Sequence, residues 1–403
     1  MTKQYKFNRM ELAGSLGDLG TLLPMAIGMI LINGLNPMGM FITIGLFYII
    51  SVIYFRVTVP VQPMKVIGAY AIATGMTASQ ISASGFLVGC FLLMIGGTNA
   101  ITGIGKYIPK SVVRGVQLST GVLLMAEGVR FMIGTSKFQL LRQAVEPYLT
   151  VQNVGPVPIG IVVGIIGGIM TLLLLGNKKF PAGLLIVLGG IVLGVALGTH
   201  EGIEEAFDNL MVGLDIPKIL PFGFPTRADF TFALLALALP QIPMTLGNAV
   251  LAYADLSQEY FDEKSKKVTY KSACISMALA NFASFFMGGM PLCHGAGGLA
   301  AHFRFGARTA GSNIIIGSIF IVLAIFFRTH MLSILYLVPM SVLGVLLLFA
   351  GSQLSLTVID MKTRKDLFVS LMILGLTLAS NLAVGFIVGI GIAYTLKSEK
   401  MTV

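Results

Sequence analysis

Apolar runs recur along this chain with little polar sequence between them. About fourteen such runs are predicted as membrane helices, since a span needs about 20 mostly apolar residues. They lie near 10–33, 38–55, 64–78, 83–105, 110–132, 157–176, 181–198, 230–254, 270–288, 292–302, 310–328, 334–358, 366–379 and 382–397. Two of them, 64–78 and 292–302, are too short to cross a bilayer as helices. The first opens as Val59-Pro60-Val61-Gln62-Pro63-Met64-Lys65, the second as Gly288-Gly289-Met290-Pro291-Leu292-Cys293-His294-Gly295-Ala296-Gly297-Gly298. Proline is tolerated where a helix starts, because the first amides have no partner within the helix. Each segment therefore reads as an extended stretch followed by a half-helix.

The two halves repeat. Leu16-Gly17-Asp18 matches Leu246-Gly247-Asn248, and Pro109-Lys110-Ser111-Val112 matches Pro339-Met340-Ser341-Val342, both at an offset of 230. Pro60 and Pro291 stand before the two short segments at an offset of 231. With about seven spans each, an odd number, the second repeat enters the membrane upside down, as in many secondary transporters. The expected fold is an all-α polytopic membrane protein, a 7+7 inverted repeat with two half-helices. Its divisions are residues 1–198, an extracytoplasmic linker at 199–229, and residues 230–403, with no soluble C-terminal domain.

Composition agrees with lipid as solvent. Of 403 residues, 56% are hydrophobic and 11% charged, with a mean hydropathy of +0.89; soluble domains carry roughly a quarter charged residues. The 48 glycines suit close helix packing in a bilayer. A net charge of +10 could point to nucleic acid, but the basic residues sit in short loops between apolar runs, which is the positive-inside pattern. Lys3, Lys6, Arg9, Arg56, Lys106, Lys110, Lys178, Lys179, Lys264, Lys266, Lys267, Arg304, Arg308, Lys362, Arg364, Lys365, Lys397 and Lys400 fall on one side. The loop near 199–229, on the other side, is mainly acidic, with Glu201, Glu204, Glu205, Asp208 and Asp215; the loop near 130–147, with Arg130, Lys137 and Arg142, is the exception. Both termini are expected in the cytoplasm, and the polar start lacks the features of a signal peptide. The expected location is the plasma membrane, in a bacterium the inner one.

The two breaks carry the chemistry. Each half-helix start offers free amides and about half a positive charge. Two facing ends favour an anion; the alternative is a pair of prolines that only kink two helices. Lys65, at membrane depth, is a candidate for anion contact, against snorkelling or a pair with Asp18. His294 could donate to an oxyanion or carry a proton, or be a packed neutral ring. Asp18 in the first span is a proton-coupling candidate, against a fixed ion pair with Lys65. Gln241, Thr245 and Asn248 at i, i+4 and i+7 form a polar stripe expected to face a cavity. With Thr21, Gln62, Met64, Cys293, Gly295 and Gly297 these complete the substrate-binding set. No Walker A motif, nucleophile elbow, zinc helix or C-x-x-C pair occurs. No cofactor, metal or catalytic residue is expected, and an intramembrane enzyme is disfavoured.

Gly17-Asp18-Leu19-Gly20-Thr21, Pro60-Val61-Gln62-Pro63-Met64-Lys65, the run Pro240 to Asn248, Pro291 to Ala300, and Phe303-Arg304-Phe305-Gly306-Ala307-Arg308-Thr309 resemble the molybdate transporter family, a branch of the sulfate permease superfamily. The resemblance spans nearly the whole chain. It implies a core domain of spans 1–4 and 8–11, a gate domain of spans 5–7 and 12–14, and uptake of molybdate, a tetrahedral dianion. Gate domains of this fold often pair, so a homodimer in the lipid bilayer is a possible assembly. Sulfate transport is the nearest alternative, then a nucleobase permease, which usually places carboxylates in its site, or a passive anion channel. Nucleic acid is not an expected partner.

Overall fold

The computed structural model describes residues 5–98, 109–141, 143, 145–175, 182–199, 218–327 and 334–397. Lys3, Lys106, Arg142, Lys178, Lys179 and Lys400, and Glu201, Glu204, Glu205, Asp208 and Asp215 of the 199–229 loop, lie outside the described residues.

Each predicted apolar segment contains a helix. In chain order these are α1 (Arg9–Ser15), α2 (Leu19–Leu31), α3 (Pro37–Phe55), α4 (Lys65–Thr74), α5 (Ala78–Thr98), α6 (Lys110–Ile133), α7 (Ile159–Leu175) and α8 (Ala182–Ala196). Then follow α9 (Arg227–Ser265), α10 (Tyr270–Met287), α11 (Ala296–Phe305), α12 (Gly311–Phe327), α13 (Met340–Ser355), α14 (Arg364–Ala379) and α15 (Leu382–Thr395). Among them α3, α5, α6, α9 and α13 are long and apolar enough to cross a membrane, with α1 and α2 a further span if their 42° bend is counted as one helix. α4 and α11 are ten residues each, about 15 Å at 1.5 Å per residue, which is half a bilayer core. The predicted span 230–254 extends further, to Ser265.

Local chemistry sets the helix ends. α3 has Asn36 at its N-cap, accepting from the Gly39 amide, and Pro37 in its first turn; side-chain oxygens at this position satisfy orphan donors. Thr269 and Ser272 form a capping box at the start of α10. α4, α6, α10 and α11 each stop at a glycine with positive φ, namely Gly75, Gly134, Gly288 and Gly306, where a side chain would strain the backbone. α9 widens into π turns at Ala233–Ala238 and Thr245–Ala252, either side of Pro240 and Pro243. Each proline removes an amide from the ladder, and the neighbouring turns loosen around the gap.

α5 packs on α10 and α3 on α12, so each half is interleaved with the other. α6 and α13 meet along their length. A Cβ at Gly121 would lie 2.5 Å from the Gly351 oxygen, and one at Gly128 2.5 Å from the Gly344 oxygen. Only glycine allows this backbone approach, which is how helices gain contact in lipid. In the loop after α6, the fully buried Glu146 accepts from the Met340 and Ser341 amides at 2.5 and 3.0 Å. It caps the start of α13 and ties that loop to the helix.

Candidate functional site

The two breaks meet. β1 (Gln62–Pro63) pairs antiparallel with β4 (Leu292–Cys293), Gln62 opposite Cys293 and Pro63 opposite Leu292. The Met64 amide donates to the Pro291 carbonyl at 3.0 Å, so α4 and α11 start from one crossing. Unpaired backbone at this depth is costly, and two asparagines remove the cost. Asn281 accepts from the Leu292 amide at 3.2 Å and donates to the Leu292 carbonyl at 2.8 Å. Asn313 does the same for Val59, at 3.0 and 2.6 Å.

The two half-helix ends differ in what they leave free. At α4 the Val66 and Ile67 amides both donate to Gln241 Oε1, at 3.0 and 3.3 Å, while Gln241 Nε2 donates to Thr245 Oγ1 at 2.9 Å. This corrects the expectation of two open ends: a side chain from α9 already fills the first. At α11 the N-cap is Gly295, which has no side chain to cap the first turn, and among the described residues no other side chain accepts from its first amides. Gly297 there is exposed, and a Cβ on it would meet no atom within 4 Å.

A cavity of about 720 Å³ lies beside the crossing. Thr21 of α2, Lys65 of α4 and Gly247 and Asn248 of α9 line its depth; Lys110, Arg114 and Gln117 of α6 and Arg304 of α11 line it elsewhere. No carboxylate lines it among the described residues. Lys65 forms no ion pair with Asp18 among the described residues. A net positive, partly apolar cleft of this kind concentrates anions.

Asp18, in the break between α1 and α2, is buried against the first turn of α11. Its Oδ1 accepts from Gln62 Nε2 at 2.9 Å. Asp18 Oδ2 and Gln62 Oε1 have no partner. A Cβ on Gly298 would lie 2.6 Å from Asp18 Oδ2 and 2.9 Å from Gln62 Cδ. Glycine at 298 is what lets the carboxylate approach the helix start. Gly295 has the same role: a Cβ there would overlap Gln62 Oε1 and lie 3.4 Å from Asn248 Nδ2.

A family model described as "Molybdate transporter of MFS superfamily" matches residues 10–124 and 233–354, more than half of the chain and both breaks. The chain belongs to the molybdate transporter family. Molybdate transporter 2 of Arabidopsis thaliana is 30% identical over 419 residues, 96% of this chain and 87% of that protein. Molybdate transporter 1 of Chlamydomonas reinhardtii is 28% identical over 474 residues, 95% of this chain and 90% of that protein. In fold, this molybdate transporter family member resembles the transmembrane domain of a cyanobacterial bicarbonate transporter, BicA. The TM-score is 0.61 at 15% identity, covering 96% of this chain and 98% of that one. It also resembles the murine Solute Carrier 26 family member A9 anion transporter in its inward-facing state. Here the TM-score is 0.65 at 13% identity, over 98% and 69% of the two chains. The protein is thus a multi-pass membrane transporter, not an enzyme, with a fold shared by these two transporters.

Of the expected site residues, Thr21, Lys65 and Asn248 line the cavity, and Gly297 opens the end of α11. Gln241, Thr245, Gln62 and Asp18 stand behind them in buried hydrogen bonds. Met64 is fully buried, and Cys293 is buried with Sγ 3.7 Å from the Pro63 carbonyl. His294 is not brought to the cavity. Its Nδ1 faces the Pro60 carbonyl at 2.8 Å and its Nε2 faces Ser276 Oγ at 3.1 Å. Phe47 and Tyr253 enclose the ring, at centroid distances of 4.7 and 4.9 Å. It is a strut between the breaks, with both nitrogens engaged. Among the described residues no group of three His, Cys, Asp or Glu side chains is placed to hold a metal. Arg114, Gln117 and the two asparagine clamps were not singled out by sequence reasoning. Their partners lie far away in the chain, and no local spacing marks them.

Proposed function

We propose that this chain is a secondary active transporter that imports molybdate, bound at the open first turn of α11 with Lys65 opposite. The observation that carries this reading is the antiparallel crossing of β1 and β4, which starts both half-helices at one point beside an unpaired lysine. The α11 amides supply hydrogen bonds and a partial charge, Lys65 a full charge, and Thr21 and Asn248 further donors. Gln241 and Thr245 hold α4 in place for this contact.

The two halves act as inverted repeats of seven spans. In support, matching the spans by the repeat offset turns the contact of α3 with α12 into that of α10 with α5, and leaves the contacts of α6 with α13 and of β1 with β4 paired with themselves. α1–α5 and α9–α12 form the core and α6–α8 and α13–α15 the gate, and transport follows from movement of the core against the gate. Lys110 and Arg304, which the charge pattern assigns to the cytoplasm, line the same cavity as Lys65. The cavity therefore opens inward, with both termini cytoplasmic. Proton coupling belongs to Asp18. Its Oδ2 and Gln62 Oε1 are two buried acceptors without a donor, a deficit that one proton on the carboxyl would reduce.

Binding of radiolabelled molybdate to purified protein tests the proposal, with tungstate and sulfate as competitors. Lys65→Met is expected to weaken binding strongly; equal affinity would remove the direct contact. Displacement by sulfate in preference to molybdate would favour the sulfate alternative.

A further inference from the structure

At the wall of the cavity formed by α6, three nitrogens of two side chains converge on one carboxylate. Arg114 Nε and Nη2 donate to the two oxygens of Asp360, at 2.9 and 2.5 Å. Lys110 Nζ is 2.9 Å from Asp360 Oδ2. The remaining fork nitrogen, Arg114 Nη1, donates to Gln117 Oε1 at 2.7 Å, and Thr357 Oγ1 donates to that same oxygen at 3.0 Å. Lys110, Arg114, Gln117 and Thr357 line the cavity, and Arg304 lines it from the core side; Asp360 does not.

We propose that the Arg114 fork with Lys110 is a second tetrahedral-oxyanion site at the mouth of the cavity, held by the Asp360 carboxylate when no anion is there. The inference rests on reading the cavity as the transport path. Two parallel N–H donors fit any pair of oxygens about 2.2 Å apart or slightly more, so carboxylate and oxyanion compete for one fork. The fork is already set for its ligand: Gln117, fixed by Thr357, fixes the third nitrogen. The Arg114 side chain is 23% exposed and that of Asp360 42%. The cluster is partly in water, where screening weakens each ion pair and allows exchange, while the two-pronged fork and Lys110 together make it a network rather than a single pair. The cavity holds far more than one anion, and its cations are split between Lys65 in the depth and this cluster at the mouth. An anion leaving Lys65 would pass to Arg114 as Asp360 swings away, and Asp360 would then return and displace it.

The alternative is a staple whose only task is to join α6 to the turn after α13. The two accounts differ in sign. If the carboxylate competes, Asp360→Asn strengthens anion binding at the mouth by about fivefold, the scale of one exposed charge pair, while Arg114→Gln abolishes it. A staple predicts that both variants shift binding in the same direction or not at all. Titration of the unmodified full chain with molybdate is expected to give a tight and a weak site, with the weak one lost in Arg114→Gln. The weak site is expected to survive in Lys65→Met, which separates it from the deep site. A single-site isotherm for the unmodified chain overturns the proposal, as does equal behaviour of the Asp360→Asn and Arg114→Gln variants. Neither result touches the deep site, whose failure is read from Lys65→Met alone.

Discussion

Gln241 fills the amide end of α4, and two substitutions separate the two effects expected of it. Gln241→Leu keeps the volume and removes the acceptor of the Val66 and Ile67 amides. Both residues are fully buried. An unsatisfied buried donor costs about 1–3 kcal/mol. One oxygen serves both amides, the second at 3.3 Å, so the expected loss is about 2–4 kcal/mol. Gln241→Glu keeps an acceptor there and adds a negative charge at a helix N-terminus, where charge of that sign is favourable by about 0.3–1 kcal/mol. That charge sits about one helical turn from where the anion meets Lys65. At ~6 Å and an effective dielectric of about 20, each unit of anion charge is repelled by about 3 kcal/mol, or about a hundredfold in affinity. Thermal unfolding and molybdate binding, measured on both variants above neutral pH, distinguish the effects. The leucine variant should unfold at lower temperature; the glutamate variant should unfold near the parent midpoint yet bind at least a hundredfold more weakly. A leucine variant as stable as the parent, or a glutamate variant that binds normally, would refute the capping role.

Gly298→Ala is expected to abolish uptake with the protein still inserted in the membrane, because its Cβ would stand 2.6 Å from Asp18 Oδ2; normal uptake by vesicles would show that the carboxylate need not approach α11. Asp18→Asn should remove the dependence of uptake on an imposed pH gradient, and unchanged dependence would reject proton coupling there. Burial pushes Glu146 up from its ordinary 4.5 to about 7, against the hydrogen bonds from Met340 and Ser341 that lower it. The folded state therefore holds a proton that the unfolded chain gives up, and this contribution to stability is lost as pH rises from about 4.5 to 7. Relative to Glu146→Gln, the parent should lose thermal stability over that window, and parallel profiles would contradict the assignment.

The helical architecture was legible because lipid imposes it on composition: apolar length and two proline- and glycine-marked breaks placed a helix in each predicted segment, although the short helix Lys137–Leu141 falls in a stretch read as a loop. What was not legible depends on contacts between distant parts of the chain. An i, i+4, i+7 stripe at Gln241, Thr245 and Asn248 assumes a regular helix, whereas the π turn from Thr245 changes the angular spacing. Asn248 reaches the cavity, and Gln241 turns to the α4 amides instead. His294 follows the break, as read, but the pairing of β1 with β4 directs its ring to Pro60 and Ser276. Arg114 and Asp360 are joined across the two halves, and nothing near either residue signals the other.

The most direct test is to locate a bound heavy oxyanion. Tungstate has the shape and charge of molybdate and scatters strongly, so a structure of the protein soaked in it fixes the anion by its density. The expected position is within hydrogen-bond distance of the first amides of α11 and of Lys65 Nζ. Density only at the Arg114 cluster, or none near the crossing of the two breaks at saturating tungstate, would contradict the account.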